Sequence, residues 1–135
     1  MILYEDASRD NRAVYVSLWY PAEVAAEDYA SEPVADAAPD RSSAPYPLII
    51  SSTKMGFFFA QHMASYGFVV MGMNNQDSST LWGNWLIDYP LDALFALDQM
   101  AAYPPEGMEG MIDSDHSGYM GYSFDSFTAL AVSGA

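Results

Sequence analysis

The chain of 135 residues contains no cysteine. Disulfides, thiolate nucleophiles and cysteine-ligated zinc are therefore excluded, and the redox compartment cannot be read from thiols. Cations are nearly as scarce. Four Lys and Arg stand against 18 Asp and Glu, a formal net charge of −14. A surface of that sign repels phosphate backbones and anionic headgroups, so neither nucleic acid nor an acidic membrane surface is expected as a partner. Long apolar runs are missing too: no stretch approaches the roughly 18 residues of a membrane span. Met1 to Arg12 is polar and acidic and does not read as a signal peptide, so a soluble chain is expected. Histidine occurs only as His62 and His116. What the chain does have is apolar bulk. Hydrophobic residues make up 51% and aromatics 15%, enough for a core and too much for global disorder. The length suits one domain.

Taken in order, Ala13 to Tyr20 alternates, is rich in β-formers and stops at Pro21, the pattern of a strand. Glu23 to Pro45 has no period and is rich in Ala, Asp, Glu, Pro and Ser; a long acidic surface loop is expected over about 22–46. Pro47 to Ser51 is a short continuous apolar run, as in a buried parallel strand, with Ser52 to Gly56 turning out of it. Phe58 to Tyr66 reads as a helix closed by Gly67. Phe68 to Met73 reads as a second buried strand, followed by a polar loop over 74–83. Pro90 to Ala102 is the strongest helix signal. Leu91, Leu94, Phe95 and Ala101 follow a 3.6-residue period, Leu97 widens the stripe, Pro90 suits a first turn and Asp92 suits the positive end. Strands alternating with helices imply an α/β fold, a mostly parallel sheet with flanking helices. The nine methionines are scattered and read as core filling.

The stretch that carries chemistry is Gly118-Tyr119-Met120-Gly121-Tyr122-Ser123-Phe124-Asp125-Ser126. A strand leads in, Ser123 sits in G-x-S between glycine and an aromatic residue, and Phe127, Leu130 and Ala131 lead out at helical spacing. A strand, a sharp turn bearing serine and a helix together form a nucleophile elbow, which lifts the hydroxyl above the sheet and aims backbone N–H groups at one point. The fifth position of G-x-S-x-G is Asp125 here instead of glycine. A carboxylate in a helix's first turn suits the helix, but it opposes a developing oxyanion unless it points away.

Four stretches together resemble α/β-hydrolases of the platelet-activating-factor acetylhydrolase and dienelactone-hydrolase type. They are Val14 to Pro21, Tyr46 to Gly56, Ala64 to Val70 and Gly121 to Phe124. The resemblance implies a hydrolase of carboxylic esters acting on a small-molecule ester, without metal or cofactor. Ser123 would be the nucleophile, and the backbone N–H groups of Phe124 and Met55 would form the oxyanion hole. Lys54 stands where these hydrolases usually carry glycine. In this fold the triad runs Ser, then Asp or Glu, then His, and neither acid nor histidine follows the elbow helix. The expectation is therefore an incomplete domain over 1–135, the N-terminal part of such a hydrolase with the C-terminal part of the fold missing.

Other residues point to less. His116 lies about seven residues before Ser123, near 20 Å along a strand, too far for a base that must come within about 3 Å. His62 sits in the first helix. Asp113, Asp115 and His116 lack the number and spacing of a metal site. Trp82 and Trp85 fall in the loop at the C-terminal side of the sheet, where ligands bind in open α/β folds, and could line an acyl pocket or cover the sheet edge. The rival to the hydrolase reading is a non-catalytic module of the same shape. Its unpaired sheet edge and bare helix faces are expected to favour self-association.

Overall fold

The computed structural model describes residues 1–23, 33–52, 57–74 and 84–134. Five strands form one sheet: β1 (Ile2–Asp6), β2 (Arg12–Trp19), β3 (Tyr46–Ser52), β4 (Val69–Met73) and β5 (Ile112–Met120). The helices are α1 (Phe57–Ser65), α2 (Trp85–Ala102) and α3 (Ser126–Val132), and short 3-10 turns occupy Ala7–Arg9 and Ser123–Asp125. The strand order is β1-β2-β4-β3-β5. β1 and β4 both run antiparallel to β2, while β3 runs parallel to β4 and to β5. β2 therefore runs against the other four strands, and the sheet is mostly but not entirely parallel, as the alternation of elements predicts.

Burial follows from that order. β4 sits in the middle, every one of its residues is buried, and its sequence VVMGM is correspondingly apolar throughout. Val69, Met71 and Met73 join Val14, Val16, Leu48, Ile50, Ala93, Ala96 and Met100 in one cluster under α2. Ala60 and Ala64 of α1 are buried outside that cluster, as is Val70, so α1 covers the opposite face. Five of the methionines, Met71, Met73, Met100, Met108 and Met111, are buried. At the end of α1, Gly67 takes φ +84, and the Phe68 N–H reaches the Met63 carbonyl, the glycine-capped ending expected there.

The structure departs from the sequence reading in four places. The polar N-terminal stretch contains β1, which pairs along its whole length with β2 through a hairpin whose Asp10 and Asn11 both have positive φ. Helix α2 begins at Trp85, and Pro90 lies within it. Proline gives up its own N–H bond and its ring crowds the Leu86 carbonyl four residues back, a cost confined to the start of the helix, and the ring is buried. The face of α2 that meets the sheet is Pro90, Asp92, Ala93, Ala96 and Met100, whereas Leu91 and Leu94 are exposed. Small residues let the helix lie close to the sheet, and the leucines project outward. Finally, β5 begins at Ile112, before His116. Pro47 pairs with Asp113 but Leu48 pairs with Ser117, so Ser114, Asp115 and His116 are bulged out of the ladder.

The acidic loop is tied at its base. Ala22 and Pro39 bridge, the Tyr20 hydroxyl donates to the Ala37 carbonyl at 2.9 Å, and Arg41 donates to the carbonyls of Gly107 and Glu109. Arg9 and Arg12 form a second tie. Arg12 grips Asp92 through Nε and Nη2 at 2.8 and 2.9 Å, and Arg9 reaches the same carboxylate at 2.8 Å and that of Asp6 at 2.5 Å. The hairpin that carries Asp6, Arg9 and Arg12 is thus fastened to α2. The Ser8 hydroxyl and then the Arg9 guanidinium hold the Asp6 carboxyl below the usual carboxylate range. Among the described residues, no helix is long and apolar enough to cross a membrane.

Candidate active site

The three parallel strands β3, β4 and β5 end side by side, with Ser51 paired to Met120 and Ser52 to Met73. Their C-terminal ends are where a ligand meets an open α/β sheet. From β5 the chain passes through Gly121 and Tyr122 into the 3-10 turn Ser123–Asp125 and then into α3.

This turn is held in an unusual shape. Ser123 has φ +55, a left-handed conformation that side chains other than glycine rarely adopt. Tyr122 before it is extended, and the Asp125 N–H closes the turn on the Tyr122 carbonyl at 3.1 Å. Gly121 has no alternative. A Cβ at that position would lie 2.2 Å from the Asp125 carbonyl oxygen, because the chain folds back directly over it. The Ser126 hydroxyl donates to the Gly121 carbonyl at 3.3 Å and straps the two arms together. Ser123 itself is exposed.

Beneath the turn lies a buried polar group. Asp125 is 2% exposed, and its carboxylate accepts the Ser52 hydroxyl at 2.6 Å, with Ser52 itself 4% exposed. Thr128 is buried nearby. Burial first, and the Asp125 charge second, push the Tyr119 hydroxyl well above its ordinary range. The carboxylate therefore points into the protein, away from the exposed face of Ser123. Sequence reasoning singled out Asp125 but missed Ser52, which it read as the first residue of a turn. Two serines closing an otherwise apolar strand were the available signal.

Aromatic residues crowd one side. The rings of Trp85 and Phe124 have centroids 3.8 Å apart at 48°, and Phe127 and Tyr89 stand 6.3 and 6.1 Å from Trp85. Trp85, expected in a loop, opens α2 and packs directly against the residue that follows Ser123. Phe124 remains about half exposed. Met55, Lys54 and Trp82 lie outside the described residues. A groove of about 430 Å³ runs between α2, α3 and β5, lined by Ile50, Leu94, Leu97, Tyr119, Leu130 and Val132. Ser123 and Trp85 do not line it.

Both histidines are engaged elsewhere. The His116 Nδ1 is 2.7 Å from Asp113 on the exposed bulge, and His62 packs on Tyr66 with centroids 4.9 Å apart. Among the described residues, no group of three His, Asp or Glu side chains is placed to hold a metal ion. The arrangement can present a hydroxyl on a tight turn beside a backbone N–H, above the ends of parallel strands. That is a geometry in which acyl transfer to a serine is feasible.

No protein-family model matches the chain, and no curated protein matches it. Among solved structures the chain is similar to a ferulic acid esterase from Streptomyces cinnamoneus. The TM-score is 0.73 at 22% sequence identity, over 98% of this chain and 53% of that one. The chain therefore spans about half the length of the esterase. At this identity the likeness establishes the shared fold, the α/β architecture of an esterase.

Proposed function

We propose that the chain carries the nucleophile half of a serine-dependent carboxylic ester hydrolase. The observation that carries this reading is the φ of +55 at Ser123. Backbone strain of this kind costs about 1–3 kcal/mol and persists where a site requires it. Gly121, which nothing larger can replace without displacing the turn, supports the same reading. In this reading Ser123 attacks the ester carbonyl, and the Phe124 N–H donates to the oxyanion together with that of Met55. One such donor contributes roughly 3 kcal/mol in comparable enzymes. The aromatic group of Trp85 and Phe124 offers a wall for an acyl chain or ring, in keeping with a neighbour named for an aromatic acid. Residues 1–135 form an incomplete domain in this proposal. The triad acid and base belong to a segment matching the part of the esterase that this chain does not cover.

The test is labelling of the full-length protein with a fluorophosphonate. Labelling at Ser123, abolished in Ser123→Ala, is expected. Equal labelling of the variant refutes the assignment.

One observation favours a second reading, a hydrolase-like interaction module. Met120, Tyr122, Phe127 and Leu130 are exposed beside β5, whose outer edge is unpaired among the described residues. Association of two copies through this edge is opposed by their charge, so it should strengthen as salt screens the repulsion. Sedimentation that shows a monomer at every salt concentration removes this reading.

A further inference from the structure

We infer that Asp125 is a positioning residue. By taking the Ser52 hydroxyl, its carboxylate clamps the serine-bearing turn to the end of β3, and so fixes Ser123 relative to that strand end. This inference rests on the acyl-transfer reading of Ser123 and deepens it.

A buried carboxylate is costly unless it is bonded, so its place in the fold needs an account. Asp125 stands two residues after Ser123, inside the same 3-10 turn. Its partner is 73 positions away in sequence, on the last residue of β3, and the contact of 2.6 Å falls in the range of a charge-assisted O–H to carboxylate bond. The bond therefore joins two strand ends whose side-by-side position the backbone ladder sets only as far as the Ser51–Met120 pair. Beyond that pair the chain from β5 passes through Gly121 and Tyr122 into the turn. The Ser52–Asp125 bond is a side-chain link between that turn and the end of β3.

A strained turn needs such a link. A left-handed serine persists only when its surroundings over-determine it. Three restraints converge here: the close approach at Gly121, the Ser126 hydroxyl on the Gly121 carbonyl, and the Ser52 hydroxyl on Asp125. The third reaches outside the local segment, as does the packing of Phe124 on Trp85. Glycine at position 125 could not form it. The residue that looked like a defect in the motif is thus the anchor of the turn. Misplacing a reacting group by about 1 Å can cost on the order of a hundredfold in rate, which sets the scale of the expected effect.

The experiment measures fluorophosphonate labelling of the full-length protein, separating the maximal rate from the half-saturating probe concentration. Ser52→Ala and Asp125→Ala should each lower the maximal rate on the order of a hundredfold, with the half-saturating concentration unchanged. Asp125→Asn keeps an acceptor oxygen for Ser52 and should lose no more than about tenfold. The double variant Ser52→Ala/Asp125→Ala should label no more slowly than either single one, because both remove the same bond. Wild-type rates in Ser52→Ala and Asp125→Ala overturn the clamp, and so does a loss shared equally by Asp125→Asn and Asp125→Ala. Amide hydrogen exchange at Asp125, whose N–H closes the turn on the Tyr122 carbonyl, decides the matter independently. Protection lost in Ser52→Ala supports the clamp and unchanged protection overturns it, even where wild type fails to label and the acyl-transfer reading itself falls.

Discussion

Asp92 and Asp125 are each 2% exposed, yet they are held in different ways. Asp92 lies under the β1–β2 hairpin and is gripped by the guanidinium groups of Arg9 and Arg12. Asp125 lies under the turn that carries Ser123 and takes a serine hydroxyl. Two of the chain's four cations are thus spent on fastening an edge hairpin to α2, where the backbone is otherwise regular. At the other site a weaker polar contact supports a backbone in a conformation it does not prefer. The contrast separates a carboxylate that secures the fold from one that shapes a site. The first should dominate stability and the second reactivity.

The sharpest way to break the contrast is Asp92→Ala. Removing one partner leaves two guanidinium groups poorly matched, a change that typically costs about 3–5 kcal/mol. Urea denaturation should show a loss of that size while Ser123 labelling of the folded fraction stays the same. A loss of labelling in folded protein merges the two roles. Ser123→Gly should move stability the opposite way. Glycine relieves the left-handed strain, so a gain of about 1 kcal/mol is expected, together with complete loss of labelling. A destabilised Ser123→Gly protein means that the turn stores no strain. The smallest effect concerns Asp6, whose carboxyl the Ser8 hydroxyl and Arg9 hold below its ordinary value. A lowered carboxylate pKa stabilises the folded chain above the unfolded value, about 4, and loses that contribution as pH falls through the folded value. The stability gap between wild type and Asp6→Asn should therefore be full near neutrality and shrink below about pH 4. A gap that is constant with pH excludes the ionised pair as its source.

How far each region could be read from sequence follows the same division. The central strands β3 and β4 were legible because continuous apolar runs between turn residues have few other uses. The α1 ending was legible because Gly67 supplies the positive φ that the cap requires. The strand, turn and helix around Ser123 were legible because their signals fall within one short stretch. The hairpin was not, because Ile2 and Tyr4 alternate with exposed residues over only five positions and the charges around them dominate the pattern. Helix α2 misled twice. Pro90 imitates a first turn, and Leu91 and Leu94 imitate a core stripe that Ala93, Ala96 and Met100 supply with help from Phe95 and Leu97. The Ser52–Asp125 bond was out of reach for a different reason. Nothing local in either residue announces a partner 73 positions away.

The strand order carries a consequence for the time course of folding. β2 must wait for β4, and β3 receives its second neighbour only when Ile112–Met120 arrives, more than sixty residues downstream of its own start. The Ser123 turn can be drawn into shape only after that pairing, since Ser52 sits on the strand that β5 must first find. Distant pairings of this kind make a chain fold more slowly than one built from local contacts. While a nascent chain waits, the apolar flanks of β3 and β4 stay uncovered, and sticking to neighbours competes with closure. The heavy negative charge then acts before any native structure exists, by keeping half-made chains apart.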